Sequence, residues 1–319
     1  QATDAGVELL CRTRFLRYRL TGQTCGGSGA GGVVVSVLRE GVETELRARL
    51  LVGADGAFSR VAGQVRGSAP VRMVAGIGAD ADYAGPPLDH VEVFVDHWAA
   101  PGWFGWTIPL GAGSARVGTG SASGIKPIES FDRLRERFPD TFGRTQVRSY
   151  RGGPIAIWEP TPLAADRVLL VGDAARQVKP TSGGGIHAAL HAAGLAAAAA
   201  SSAITLGDCS RRGLEPYARA WHASLGGEMR RGHDLRRIYT QLDHSRLDAI
   251  GRVLARDGVR GEVDAVGDID LPSRMAWALV RRAPVLAVRL ATLPRFPRAW
   301  LSARGAGWGD EPAGAEGSR

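Results

Sequence analysis

Asp173 follows the apolar run Val168–Val171 and a glycine, Gly172. Ten residues later Gly183, Gly184 and Gly185 precede Ile186 and a long run of small residues. A carboxylate at the carboxyl end of a buried strand can accept a sugar hydroxyl. Glycines at a helix start let backbone N–H groups approach a phosphate or a ring, at the positive end of the helix. Pro180 fixes the loop between the two features. Strand, carboxylate, glycine loop and helix in this order suit the binding of a dinucleotide.

A second strand–turn–helix corner runs from Leu50 through Gly53-Ala54-Asp55-Gly56 to Arg60. Read from the residues alone, this is a corner in which Asp55 caps a helix. A third stretch, Pro101-Gly102-Trp103-Phe104-Gly105-Trp106-Thr107-Ile108-Pro109, places Phe104 and Trp106 on a strand. They are either the aromatic wall of an apolar pocket or ordinary core.

Together the stretches resemble the FAD-dependent reductases and hydroxylases of the p-hydroxybenzoate hydroxylase-like superfamily. Pro180-Thr181-Ser182-Gly183-Gly184-Gly185-Ile186 is most similar to the geranylgeranyl reductase family. The family's Tyr-x-Trp-x-Phe-Pro motif is met by Trp106 and Pro109, with Phe104 for the tyrosine and Ile108 for the phenylalanine. The resemblance implies FAD as cofactor, held by Asp55, Gly56, Gly172, Asp173, Pro180, Gly183, Gly184, Gly185 and Ile186. It implies reduction of prenyl C=C bonds by hydride from reduced flavin, with NAD(P)H or ferredoxin as electron donor. Phe104 and Trp106 would line the pocket for a prenyl lipid or another apolar small molecule. No catalytic residue is named by the motifs. A hydroxylase of the same fold is the alternative, but those enzymes usually carry Gly-Asp-Ala-Ala-His, where Arg176 stands here. A non-catalytic fragment is the third reading, because the Gly-x-Gly-x-x-Gly unit that opens the superfamily is not found near Gln1. The expectation is an N-terminally truncated chain that lacks on the order of 80–100 residues.

Other chemistries find less support. His187 and His191 are four apart on one helix face, but no third ligand stands nearby, so no metal is expected. The three cysteines, Cys11, Cys25 and Cys209, lie far apart, which suits a reducing cytoplasm. All but two of the 40 basic residues are arginine, and the net charge is +8. They are dispersed, so no nucleic-acid partner is expected. No apolar run of about eighteen residues lacks both charge and glycine. Residues 275–301 mix Leu, Val and Trp with five arginines, which suits a peripheral membrane contact or a solvated helix pair.

The elements that must carry these residues define an α/β (α+β) protein. Residues 1–68 read as the remainder of a Rossmann-like FAD-binding domain. The run Gly26–Gly32 reads as a hairpin loop between strands Arg14–Leu20 and Val33–Leu38. Residues 69–150 alternate as an inserted antiparallel substrate sheet, with a helix over 128–138. Strand Val147–Ile157 leads into 151–212, the return to the cofactor domain. Residues 213–319 read as helical, with one apolar stripe running from Leu214 through Trp221 to Leu242, further helices at 245–256, 271–282 and 284–292, and a disordered tail from Gly305.

Overall fold

The computed structural model describes residues 2–22, 31–67, 72–86, 89–111, 113–122, 124–268, 271 and 273–275. Strands β1 (Thr13–Thr21), β2 (Gly32–Arg39) and β3 (Val42–Ala48) form an antiparallel sheet in that order. β2 is central, and Val33, Val34, Val35 and Val37 are all buried. β1 and β2 pair as the hairpin reading requires; their connection lies outside the described residues. β4 (Leu51–Gly53) and α1 (Arg60–Arg66) follow. Gln64 on α1 accepts the Tyr18 N–H at 2.9 Å and donates to its carbonyl at 3.3 Å, which fixes α1 to β1.

The second sheet is built from β5 (Val74–Tyr83), β6 (Glu92–Phe94), β7 (Gly105–Gly111) and β8 (Ser114–Ser121). Helix α2 (Pro127–Arg137) intervenes before β9 (Thr145–Val147) and β10 (Arg151–Ile155). The order is β10-β5-β8-β7-β6, with β9 also on β5, and every pair is antiparallel. Alternation gives this sheet two different faces. One carries Ala81, Ala115 and Val117 and is covered by Phe131 and Leu134 of α2. The other presents Gly78, Gly118 and Gly120 beneath aromatic rings and Gly76 beneath Ile155.

The chain then returns. β11 (Ala164–Ala165) pairs antiparallel with β12 (Val168–Leu170), and β12 pairs parallel with β4, setting Val168 against Leu51 and Leu170 against Gly53. Gly53 has no room for a side chain, since a Cβ there would stand 2.8 Å from Val61 and 2.9 Å from Leu170. Helix α3 (Ile186–Leu206) packs its alanine stripe, Ala188, Ala192, Ala196, Ala199 and Ala203, into the largest core cluster. Small side chains allow close approach to Leu170 and to α4 (Arg211–Trp221), whose Leu214, Tyr217 and Trp221 are fully buried. Each of those larger side chains contributes about 1.5–3 kcal/mol by leaving water. By length and composition α3 could also cross a membrane. Its outer face leaves Ile186, Leu190 and Leu206 exposed.

The sequence suggested one apolar helical stripe from Leu214 to Leu242. The structure has α4, a π turn at His222–Gly226 and α5 (Gly227–Tyr239), so the stripe is offset midway. α6 (His244–Leu254) and α7 (Asp257–Val266) follow. The single returning strand expected over Val147–Ile157 is instead two short strands, β9 and β10, separated at Arg148–Tyr150. Both pair with β5, at opposite ends of it. The helix expected at 271–282 is described only at 273–275; the one at 284–292, most of the arginine-rich segment 275–301 and the tail lie outside the described residues.

Candidate functional site: a glycine loop facing an aromatic wall

The site begins where β12 ends. Gly172 turns at φ +67°, a region that suits glycine, and a single 3-10 turn carries Asp173. Two buried side chains hold this turn. The Gln177 side-chain oxygen accepts the Gly172 N–H at 2.7 Å, and its amide donates to the Tyr217 hydroxyl at 2.8 Å. That hydroxyl donates to the Leu170 carbonyl at 2.8 Å. Burial pushes the Tyr217 pKa up to about 12, so it remains a donor. Asp173 itself is half-buried, and its carboxylate has no hydrogen-bond partner among the described residues. Loss of water raises its pKa.

The loop after Asp173 closes on itself. Lys179 N–H donates to the Gly184 carbonyl and Gly183 N–H to the Lys179 carbonyl, both at 2.9 Å. Pro180 is buried, with Gly232 of α5 behind it. A small cleft lined by Pro180, His187, Leu225 and Met229 among others lies between the loop and α5. Gly183 sits at φ +73°. Gly185 is the N-cap of α3, and a Cβ on it would stand 3.4 Å from an Asp173 carboxylate oxygen. It offers no side-chain cap, and the first turn of α3 carries no acid. The N–H groups of Ile186, His187 and Ala188 therefore have no partner in the helix, at its positive end. An unpaired carboxylate, a glycine cradle and an open helix N-terminus thus converge on one place. This fits a dinucleotide with hydroxyl, phosphate and ring groups.

Asp55 and Gly56 follow the neighbouring strand, β4, but their roles differ from a free ligand pair. The Asp55 carboxylate accepts from Arg60 N–H at 2.8 Å, Val61 N–H at 3.3 Å and the Ser59 hydroxyl at 2.5 Å. It is committed to the start of α1. Gly56, at φ +81°, faces open space.

Opposite the loop stands the aromatic stretch. Trp106 lies across Gly118 and Gly78, too close to Gly118 for any side chain there. Phe104 meets Trp106 edge to face at 6.0 Å and stacks on Trp103 at 4.8 Å. Trp103 was not singled out by sequence reasoning, yet it is the ring that joins the two halves. Added Cβ atoms at Gly120 and at Gly183 would stand 2.6 Å and 3.0 Å from it. It is 1% exposed, and its indole N–H has no partner among the described residues. The signal was present in the quoted motif, one residue before Phe104.

Arg176, which stands where the hydroxylases usually carry histidine, is enclosed and not a solvated side chain. It is 4% exposed, in a left-handed backbone conformation at φ +56°. It pairs with Glu159 and donates to the carbonyls of Ile157 at 3.2 Å and Arg72 at 2.5 Å. It ties the returning chain to the Asp173 turn. His191 bonds Ser224 of the π turn at 2.8 Å, while His187 is exposed.

A family model described as FAD binding domain matches residues 19–225. The chain is 30% identical over 310 residues to a digeranylgeranylglycerophospholipid reductase of Methanoculleus marisnigri, covering 92% of this chain and 72% of that protein. The chain belongs to the geranylgeranyl reductase family of FAD-binding proteins. A reductase of the same name from Methanospirillum hungatei is 35% identical over 269 residues, 78% of this chain and 62% of that one. The chain thus spans between about three fifths and three quarters of these relatives' length. The fold is similar to that of a geranylgeranyl bacteriochlorophyll reductase-like protein from Thermoplasma acidophilum. That likeness has a TM-score of 0.75 at 19% identity, over 91% of this chain and 71% of that one. FAD is the cofactor of this family.

Proposed function

We propose that the chain is the larger part of an FAD-dependent oxidoreductase that reduces C=C bonds in a prenyl chain, with NAD(P)H or a ferredoxin as electron source. Reduced FAD, when bound, would supply the hydride, with a proton completing the second carbon. Asp173 would accept a hydroxyl of the cofactor, and the open N–H groups of Ile186, His187 and Ala188 would hold its anionic groups. Trp103, Phe104 and Trp106, over the glycines of the second sheet, supply the apolar ring surface against which a hydrocarbon chain would lie. The observation that carries this reading is the apposition of Gly183 and Trp103, which puts the cofactor loop and the aromatic wall in direct contact. The same reading makes it a cytoplasmic protein that meets a membrane peripherally where its lipid substrate lies.

The test is anaerobic. FAD-loaded protein reduced with dithionite is mixed with a geranylgeranyl lipid, and flavin reoxidation is followed with analysis of the lipid. Reoxidation with stoichiometric loss of double bonds supports the reading. Flavin that stays reduced until oxygen is admitted, then yields a hydroxylated product from an aromatic substrate, refutes it in favour of a hydroxylase.

A further inference from the structure

Arg236 lies on α5, one turn after Gly232, and is 8% exposed. Its guanidinium carbon stands 4.8 Å from the centre of a Trp103 ring. It donates to the Gly102 carbonyl at 2.6 Å and reaches the Pro180 carbonyl at 3.5 Å. No carboxylate is within ion-pair distance of it among the described residues. Tyr239, three residues on, donates its hydroxyl to the Trp103 carbonyl. Burial draws the Arg236 pKa down to about 10, which leaves it a cation at neutral pH.

A buried cation without an acid is costly, and simple packing at this place would be served by leucine or methionine. What arginine adds is reach in three directions. Its fork spans two carbonyls from different parts of the chain, while its flat face covers an indole. All three contacts fall on the two segments that meet here: Gly102-Trp103, leading into β7, and Pro180 of the cofactor loop.

We propose that Arg236 is a positioning residue that fixes the Trp103 indole as the wall between the cofactor loop and the glycine face of the second sheet. It thereby sets how closely an apolar chain approaches the cofactor. The proposal takes from the reading above only the names of what lies on either side of the wall; the clamp is a property of the chain itself.

Hydrogen–deuterium exchange of the full chain tests it, in the parent, Arg236→Lys and Arg236→Met. The reporters are the amides of Trp103, bonded to Ala100, and Gly183, bonded to Lys179. In Arg236→Met their exchange rises about tenfold or more, while amides in β1–β3 and α2 change less than about twofold. Arg236→Lys keeps the cation over the ring and can reach one carbonyl, so it stays within about threefold of the parent. Unchanged exchange at both reporters overturns the proposal. So does an increase spread evenly over the molecule, or a lysine variant as loose as the methionine one. With FAD bound, Arg236→Met weakens binding of geranylgeraniol about tenfold and leaves FAD affinity within about twofold. If the parent fails to bind FAD, the proposed function falls, and the exchange data still decide the role of Arg236.

Discussion

The side-chain oxygen of Gln177 accepts the backbone N–H of Gly172 at 2.7 Å, across the turn that carries Asp173. Through Tyr217 the same chain of bonds ends on the Leu170 carbonyl, at the last residue of β12. The turn is therefore held from inside the core, and its outer side is left to Asp173. Gln177→Ala strands the buried Gly172 N–H and takes one donor from the Tyr217 hydroxyl, so it lowers stability by about 1–3 kcal/mol in urea unfolding and weakens FAD binding. A loss under about 0.5 kcal/mol would mean that the network holds nothing.

Asp173 carries a pKa raised by desolvation. The native state therefore holds its proton more tightly than the unfolded chain does. This residue favours folding below its unfolded pKa, and that contribution is lost as pH rises through the folded value. Asp173→Asn removes the unpaired charge. It raises the melting temperature of cofactor-free protein at neutral pH and flattens this part of the pH profile, while FAD affinity falls about tenfold or more. Calorimetry across pH together with FAD titration checks both; a variant that melts lower and binds FAD normally contradicts the assignment.

Arg176 and Glu159 form a pair whose arginine is almost fully enclosed. Glu159→Gln leaves that cation without its counter-charge, and destabilisation of about 3 kcal/mol follows. Replacing both, as Arg176→Met with Glu159→Leu, costs less than the single change if the pair serves only to neutralise itself. Equal losses in the single and double variants would show that the bonds to the Ile157 and Arg72 carbonyls matter more.

Trp106 covers Gly118 and Gly78 without being fully buried. Trp106→Ala removes part of the proposed aromatic wall, so KM for a geranylgeranyl substrate rises about tenfold with FAD affinity unchanged. Steady-state kinetics and flavin titration separate the two effects. A fall in kcat with constant KM would place Trp106 outside that wall.

Much of the fold was legible because its signals are local. The strand before Asp173, the glycines after it, the valine run of β2 and the Phe131/Leu134 spacing of α2 each announce one element. The site was legible only where one segment supplies a whole feature. Asp55 reads the same in sequence whether it faces a cofactor or caps α1, and the three donors that commit it appear only with the backbone in place. Arg236 was missed for a different reason. It falls on the inner face of α5, in line with Met229 and Gly232, and an arginine at an apolar spacing looks like an interruption. Its meaning comes from Gly102 and Pro180, which lie 134 and 56 residues away in the chain.

The π turn at His222–Gly226 has a consequence for insertions and deletions. It holds one residue more than an α turn would. Removing one residue there would let α4 and α5 merge into a regular helix and rotate everything beyond by about 100°. Leu214, Tyr217 and Trp221 would keep their places in the core. Arg236 and Tyr239 would swing away from Trp103. The length of this short segment is thus the gauge that indexes one half of the helix to the sheet and the other half to the glycine loop. A single lost codon would unmake the wall without touching any residue in it.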